Sequence, residues 1–155
     1  MARLADELKM NRPFSLVEEE AALSILRTAD VFQQRMTEVL KPFDLTAAQY
    51  NVLRILRGSP DGLPCGHIAE RMISRDPDIT RLLDRMEARG WISRERSSTD
   101  RRVVTARVLP AGLNILEQLD PLIARHLRRY LEALGEKKLR QLIDLMELVR
   151  ETTKN

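Results

Sequence analysis

The sequence lacks most of what metal, redox or membrane chemistry requires. It has one cysteine, Cys65, in 155 residues, and only two histidines. No internal disulfide can form, and one thiol with two imidazoles cannot build a structural zinc site. His67 and Glu70 are three apart, but two ligands do not make a metal centre. Uninterrupted apolar runs are only a few residues long, too short for a membrane span. Asp6, Glu7 and Lys9 break up the apolar residues near the start, which a secretory signal does not tolerate, so a soluble cytoplasmic protein is expected. The sequence holds no nucleophile elbow, Gly-rich phosphate loop or adjacent Ser/His/Asp set, so neither catalysis nor a cofactor is expected. What is present is an ordinary globular composition, 43% hydrophobic and 32% charged, long enough to bury a core as one domain.

Lysine is missing from one stretch in particular. Residues 71–107 carry ten arginines, no lysine and six acids, a net charge of +4, whereas the remainder of the chain carries −1. A guanidinium is a planar fork that bonds phosphate or guanine bidentately and enters a narrow minor groove, while an ammonium is a point charge. An Arg-rich solvated surface gives the same composition, so the local structure has to decide.

The periodicity supplies that structure. Ser15 to Glu18 has the form of a capping box, followed by a helical pattern that ends before Pro42. Thr46 to Gln49 is a second capping box, with Leu45 and Tyr50 at the staple positions, and its helix stops near Gly58. Ser59-Pro-Asp-Gly62 reads as a turn. Cys65 to Met72 is long enough for two helical turns and is followed by a break of three residues. Asp76 fits an N-cap with Pro77 at the first helical position, and Leu82, Leu83 and Met86 then fall on one face up to a left-handed Gly90. Two helices joined this way form a helix-turn-helix.

After Gly90 the period changes to alternation. Residues 91–96 and 103–109 read as strands joined by the polar tip Ser97 to Arg102, which makes a winged helix. Helical spacing returns from Pro110, is broken at Gly135, and continues to the end. The fold class is thus mainly α with a small β wing: about six helices and a hairpin. The expected organisation is a flexible tail over 1–14, helical arms over 15–45 and 110–155, and a winged helix-turn-helix over 46–109.

Three stretches carry a family resemblance: Asp78 to Arg94, with Thr80-Arg81, Asp84-Arg85 and Gly90; Ser98 to Val104, with Asp100-Arg101-Arg102; and Pro110-Ala-Gly112. Together they resemble the MarR family of bacterial transcription regulators. The resemblance implies a homodimer with intertwined outer helices that binds a pseudo-palindromic double-stranded DNA operator. It also implies repression, often relieved by a small-molecule effector held between the dimer helices and the winged domain. It further implies that Asp100 and Arg102 pair across the wing tip. Pro110 departs from the family's usual threonine, and the first helix lacks the cysteine that peroxide-sensing members use there. A winged helix that uses its basic face to bind a protein is the rival reading.

Asp78, Thr80 and Arg81 occupy the first turns of the recognition helix, the part that reaches base edges. Arg85 and Arg89 continue at four-residue steps toward phosphates, with Asp84 and Glu87 as competing intrahelical partners. In the wing, Ser98 and Thr99 are phosphate donors or plain turn residues. Asp100 is an orienting partner, and either Arg101 or Arg102 enters the minor groove. Trp91, after a capping glycine, reads as a core plug rather than a stacking platform. Cys65 at a helix start is either an activated thiolate or a structural cysteine. His126 faces either an effector cleft or a dimer seam. The stripe that includes Leu116, Leu119, Leu127, Leu142 and Met146 is either an internal bundle core or, more economically, a face buried against a second copy, and two copies match half-sites about 34 Å apart.

Overall fold

The computed structural model describes residues 3–75, 78–98, 100 and 102–153. Asp76, Pro77, Thr99 and Arg101 lie outside the described residues. One helical turn, α1 (Leu4–Glu7), lies in the segment expected to be a flexible tail, and Glu7 sits 3.7 Å from Arg27. The long helix α2 (Val17–Leu40) follows. Its N-cap is Leu16, with no side-chain cap, so the Ser15 capping box does not form. A 3-10 turn over Lys41–Phe43, opened by Pro42, leads to Asp44 in the left-handed region at φ +50°.

Helix α3 (Ala47–Arg57) starts with the expected box. Thr46 Oγ1 accepts from the Gln49 N–H at 3.2 Å, and Gln49 Oε1 accepts from the Thr46 N–H at 3.0 Å. Leu45 and Tyr50 are both buried beside it. The Ser59–Gly62 turn closes through a 2.8 Å bond from the Gly62 N–H to the Ser59 carbonyl. Strand β1 (Leu63–Pro64) and helix α4 (Cys65–Arg71) come next, then α5 (Ile79–Ala88), β2 (Ile92–Arg96), β3 (Val104–Val108), α6 (Pro110–Leu131) and α7 (Gly135–Thr152). The wing is therefore not a bare hairpin. β3 lies between β2 and β1, all antiparallel, with Leu63 opposite Ala106 and Arg94 opposite Ala106 on the other side. Two residues were too few to show alternation, which hid β1 in the sequence.

Among the described residues, seventeen buried apolar side chains form one core, running from Leu40 through α3, Ile68, Leu83 and Met86 to Trp91, Ile92, Leu116, Leu119 and Ile123. Trp91 is the core plug its position implied. Leu116 and Leu119, expected on a dimer face, are fully buried inside the protomer, and Leu127 packs against the same core. The first half of α6 lies on α3 and α2, so that part of the stripe is already covered. Leu142 is exposed and Met146 half-buried, and α7 buries none of its residues. Among the described residues no helix is long and apolar enough to cross a membrane.

Candidate nucleic-acid interface

Helices α4 and α5 with the β2–β3 wing form the winged helix-turn-helix. The break between α4 and α5 is pinned from α3, where Asn51 Oδ1 accepts from the Ile73 N–H at 2.8 Å. Helix α5 begins later than expected. Its N-cap is Asp78, whose carboxylate accepts from the Arg81 N–H at 3.2 Å and lies 3.4 Å from Arg81 Nε. The capping role expected of Asp76 therefore belongs to Asp78. This cap satisfies an orphan amide and favours the positive end of the helix dipole. Arg81 keeps a side chain 74% exposed at the leading end of α5. Thr80 is exposed beside it, and so is Arg85 one turn on.

The far end of α5 is closed by Gly90 at φ +69°, where the Trp91 N–H reaches the Met86 carbonyl at 3.1 Å. This is the left-handed cap that favours glycine. Arg89, expected to continue the phosphate-facing row, is engaged elsewhere. Its Nη1 donates to the Asp44 carbonyl at 2.8 Å and to Asp44 Oδ2 at 2.9 Å, and its guanidinium lies 4.0 Å from the Trp91 ring centroid.

Arg94 was not singled out in the sequence, yet it joins wing and helix. From β2 its Nη2 donates to Glu87 Oε2 at 2.7 Å and to Asp84 Oδ1 at 2.6 Å, and its backbone N–H donates to Glu87 Oε1 at 3.0 Å. The bonds to Glu87, then those to Asp84, push the Arg94 pKa further above its already high value. Asp84 and Glu87 were the rivals for Arg85. Both are occupied by Arg94, and among the described residues Arg85 makes no ion pair. The only sequence signal for this arrangement was the presence of two acids and one arginine on adjoining elements.

At the wing tip, Asp100 Oδ1 accepts from the Arg102 backbone N–H at 2.9 Å, and the Asp100 N–H donates to Ser97 Oγ at 3.3 Å. Asp100 and Arg102 do meet, but through the main chain rather than through the guanidinium. The Asp100 carboxylate shapes the turn, and Arg102 is left exposed. Ser98 is exposed on the approach to the tip.

Two other residues fall away from the interface. Cys65 opens α4 half-buried, and burial pushes its thiol pKa up, against a nearby Arg94 that lowers it. Both burial and the direction of this shift favour the thiol over the thiolate. His126 on α6 packs edge-on against Tyr130 at 4.7 Å, and its Nε2 is buried without a partner among the described residues.

A family model described as the MarR family matches residues 45–104. The multiple antibiotic resistance protein MarR of Escherichia coli K12 is 33% identical over 97 residues, which is 62% of this chain and 66%, just under two thirds, of that protein. A MarR transcription factor from Planctomyces limnophilus of known structure is 40% identical, with a TM-score of 0.67 over 88% of this chain and 99% of that one. A MarR family regulator from Streptomyces coelicolor, solved in complex with DNA, shares the fold at 22% identity and a TM-score of 0.78, over 92% of each chain. The capped recognition helix, the clamped wing and this degree of identity across nearly a whole relative agree: the chain belongs to the MarR family of DNA-binding transcription regulators.

Proposed function

We propose that this chain is a cytoplasmic homodimeric repressor of a pseudo-palindromic operator, released by a small-molecule effector, with residues 46–109 as the reading head and 15–45 and 110–155 as the arms. One observation carries the residue assignment: the arginines of the head divide into two groups. Arg94 and Arg89 are consumed in holding elements together, while Arg81, Arg85 and Arg102 project from surfaces where no acid neutralises them fully. Thr80 and Arg81 then read base edges from the leading turns of α5, Arg85 meets phosphate, and the wing tip carries Arg102 to the adjacent minor groove. Ser98 supplies a phosphate donor, and the roles expected of Thr99 and Arg101 fall on residues outside those described. Asp78 and Asp100 support the surface through the backbone bonds they accept and make no base contact.

The second copy is required by α7. Leu142, Ile143, Leu145, Leu148 and Val149 are all exposed on a helix that buries nothing in its own protomer. Burying that face against a symmetry mate sets two reading heads on one side of a duplex, about 34 Å apart. An effector bound between arms and head shifts the population toward dimers with the wrong spacing.

A fluorescence anisotropy titration of the full chain against duplex DNA at several salt concentrations tests this. Counterion release by several phosphate contacts gives a log–log slope of several units. A protein-binding winged helix gives weak binding with no such slope, and that result would overturn the proposal.

A further inference from the structure

Among the described residues, two ion pairs tie the reading head to the arms. Arg57 on α3 holds Asp120 on α6 through bonds of 2.7 and 3.3 Å. Arg89, at the trailing end of α5, holds Asp44. The second tie is unusual in what it grips. Asp44 is the corner where α2 hands over to α3, and it stands in the left-handed region. Arg89 Nη1 bonds both its carboxylate and its main-chain carbonyl, so the corner itself is held rather than a swinging side chain. The guanidinium plane is fixed a second time by the buried Trp91 ring, which opens the wing. Arginine can stack and donate at once, and lysine cannot. One side chain thereby joins the end of the recognition helix, the start of the wing and the root of the α2 arm.

We infer that Arg89 is a positioning residue: its hold on Asp44 fixes the angle between arm and recognition helix, and so sets which half-site spacing the dimer accepts. This rests on the dimeric operator-binding reading above. A small rotation at the corner displaces the two heads in opposite senses, whereas one base pair of added spacing moves a half-site by only about 3.4 Å along the axis. A rigid corner discriminates against that step, and a loose one absorbs it.

The probe is a set of duplexes selected from a random pool by the wild-type protein, remade with one base pair added or removed at the centre. Two full-length variants are compared. Arg89→Met keeps an apolar stem on Trp91 without the charge. Asp44→Asn breaks the ion pair from a side chain that is 89% exposed, with a residue that tolerates the left-handed corner. Arg89→Met should lower the affinity ratio between the best spacing and its neighbours by about threefold, and Asp44→Asn, which keeps the carbonyl bond, by less, with sedimentation and the salt slope as in wild type. An unchanged ratio in folded variants overturns the inference. So does a slope lower by about one with uniform loss at every spacing, the mark of a phosphate contact. Should Arg89→Met not fold, Arg89→Gln decides, since its stem still lies on Trp91 but is too short to reach both Asp44 acceptors. A wild-type protein indifferent to spacing would instead overturn the dimeric operator reading.

Discussion

Arg94 of the wing and Glu87 of the recognition helix are joined by a 2.7 Å charge-assisted bond, and the Arg94 side chain is only 19% exposed. Glu87 also accepts the Arg94 backbone N–H, so one carboxylate sets both the register and the angle of β2 against α5. Arg94→Met leaves Glu87 half-buried without its cation. Unfolding in urea should show a loss of about 2 kcal/mol, in the range for hydrogen bonds to charged groups. Operator affinity should fall further than the folded fraction does, because a detached wing no longer aims Arg102. Equal losses in stability and binding would mean that the clamp has no part in aiming the wing.

Arg102→Ala and Arg85→Ala should behave in the opposite way. Both side chains are exposed, and neither makes an ion pair among the described residues. Melting and dimerisation should stay within about 0.5 kcal/mol of wild type, as for surface substitutions generally. Operator binding should weaken and the salt slope should drop by about one for a phosphate contact at Arg85. Retention of full affinity by Arg102→Ala would remove the wing from the interface.

The architecture was legible in the sequence because its determinants are local. The Thr46–Gln49 box, the Gly90 cap and the change from helical to alternating spacing after Gly90 each act over a few residues. What the sequence hid is long-range. Asp44 and Arg89 are 45 positions apart, and no propensity or period links them. The Arg57–Asp120 tie spans 63. A row of arginines at four-residue steps looks uniform, yet Arg81 and Arg85 face outward while Arg89 turns to the corner. Likewise, the leucine stripe of α6 could not reveal that Leu116 and Leu119 meet α3 of their own chain. The sequence pointed to Asp76 as the cap of α5 and gave no sign that Asp78 accepts the Arg81 N–H.

Gly112 is required by proximity rather than by its backbone angles. A Cβ added there would lie 2.6 Å from the Trp91 carbonyl oxygen and 3.0 Å from Leu53 Cδ2 and Val108 Cγ2. That carbonyl accepts the Leu109 N–H at 2.8 Å, so it cannot withdraw without breaking the entry to α6. Alanine in a helix normally gains about 1 kcal/mol over glycine. Here the overpacking should win, and Gly112→Ala should destabilise by about 1–3 kcal/mol in urea unfolding. A stabilised variant would show that α6 can move away from the sheet at little cost.

Burial holds the Cys65 thiol in its protonated form above the usual thiol range. Since the thiolate is the nucleophile, alkylation of the native protein at neutral pH should be slower than that of an unfolded control, with the rate rising only at distinctly alkaline pH. Operator binding should be insensitive to mild peroxide. Rapid labelling at pH 7 would contradict the structural role.

Leu145 is 60% exposed and Leu148 57% exposed on α7, which buries no residue in its own chain. Leu145→Asp therefore removes nothing from the protomer core, and its unfolding should remain close to wild type where both proteins are monomeric. In a two-fold dimer the same change occurs in both copies, so the loss counts twice. At about 1.5–3 kcal/mol for each leucine denied its burial, the dissociation constant should rise by two orders of magnitude or more. Sedimentation at micromolar concentration should then show monomer, and binding to a two-half-site duplex should fall toward that of a single half-site. A variant that stays dimeric would mean that α7 presents its apolar face to something other than a second copy, and the spacing argument for Arg89 would lose its geometric basis with it.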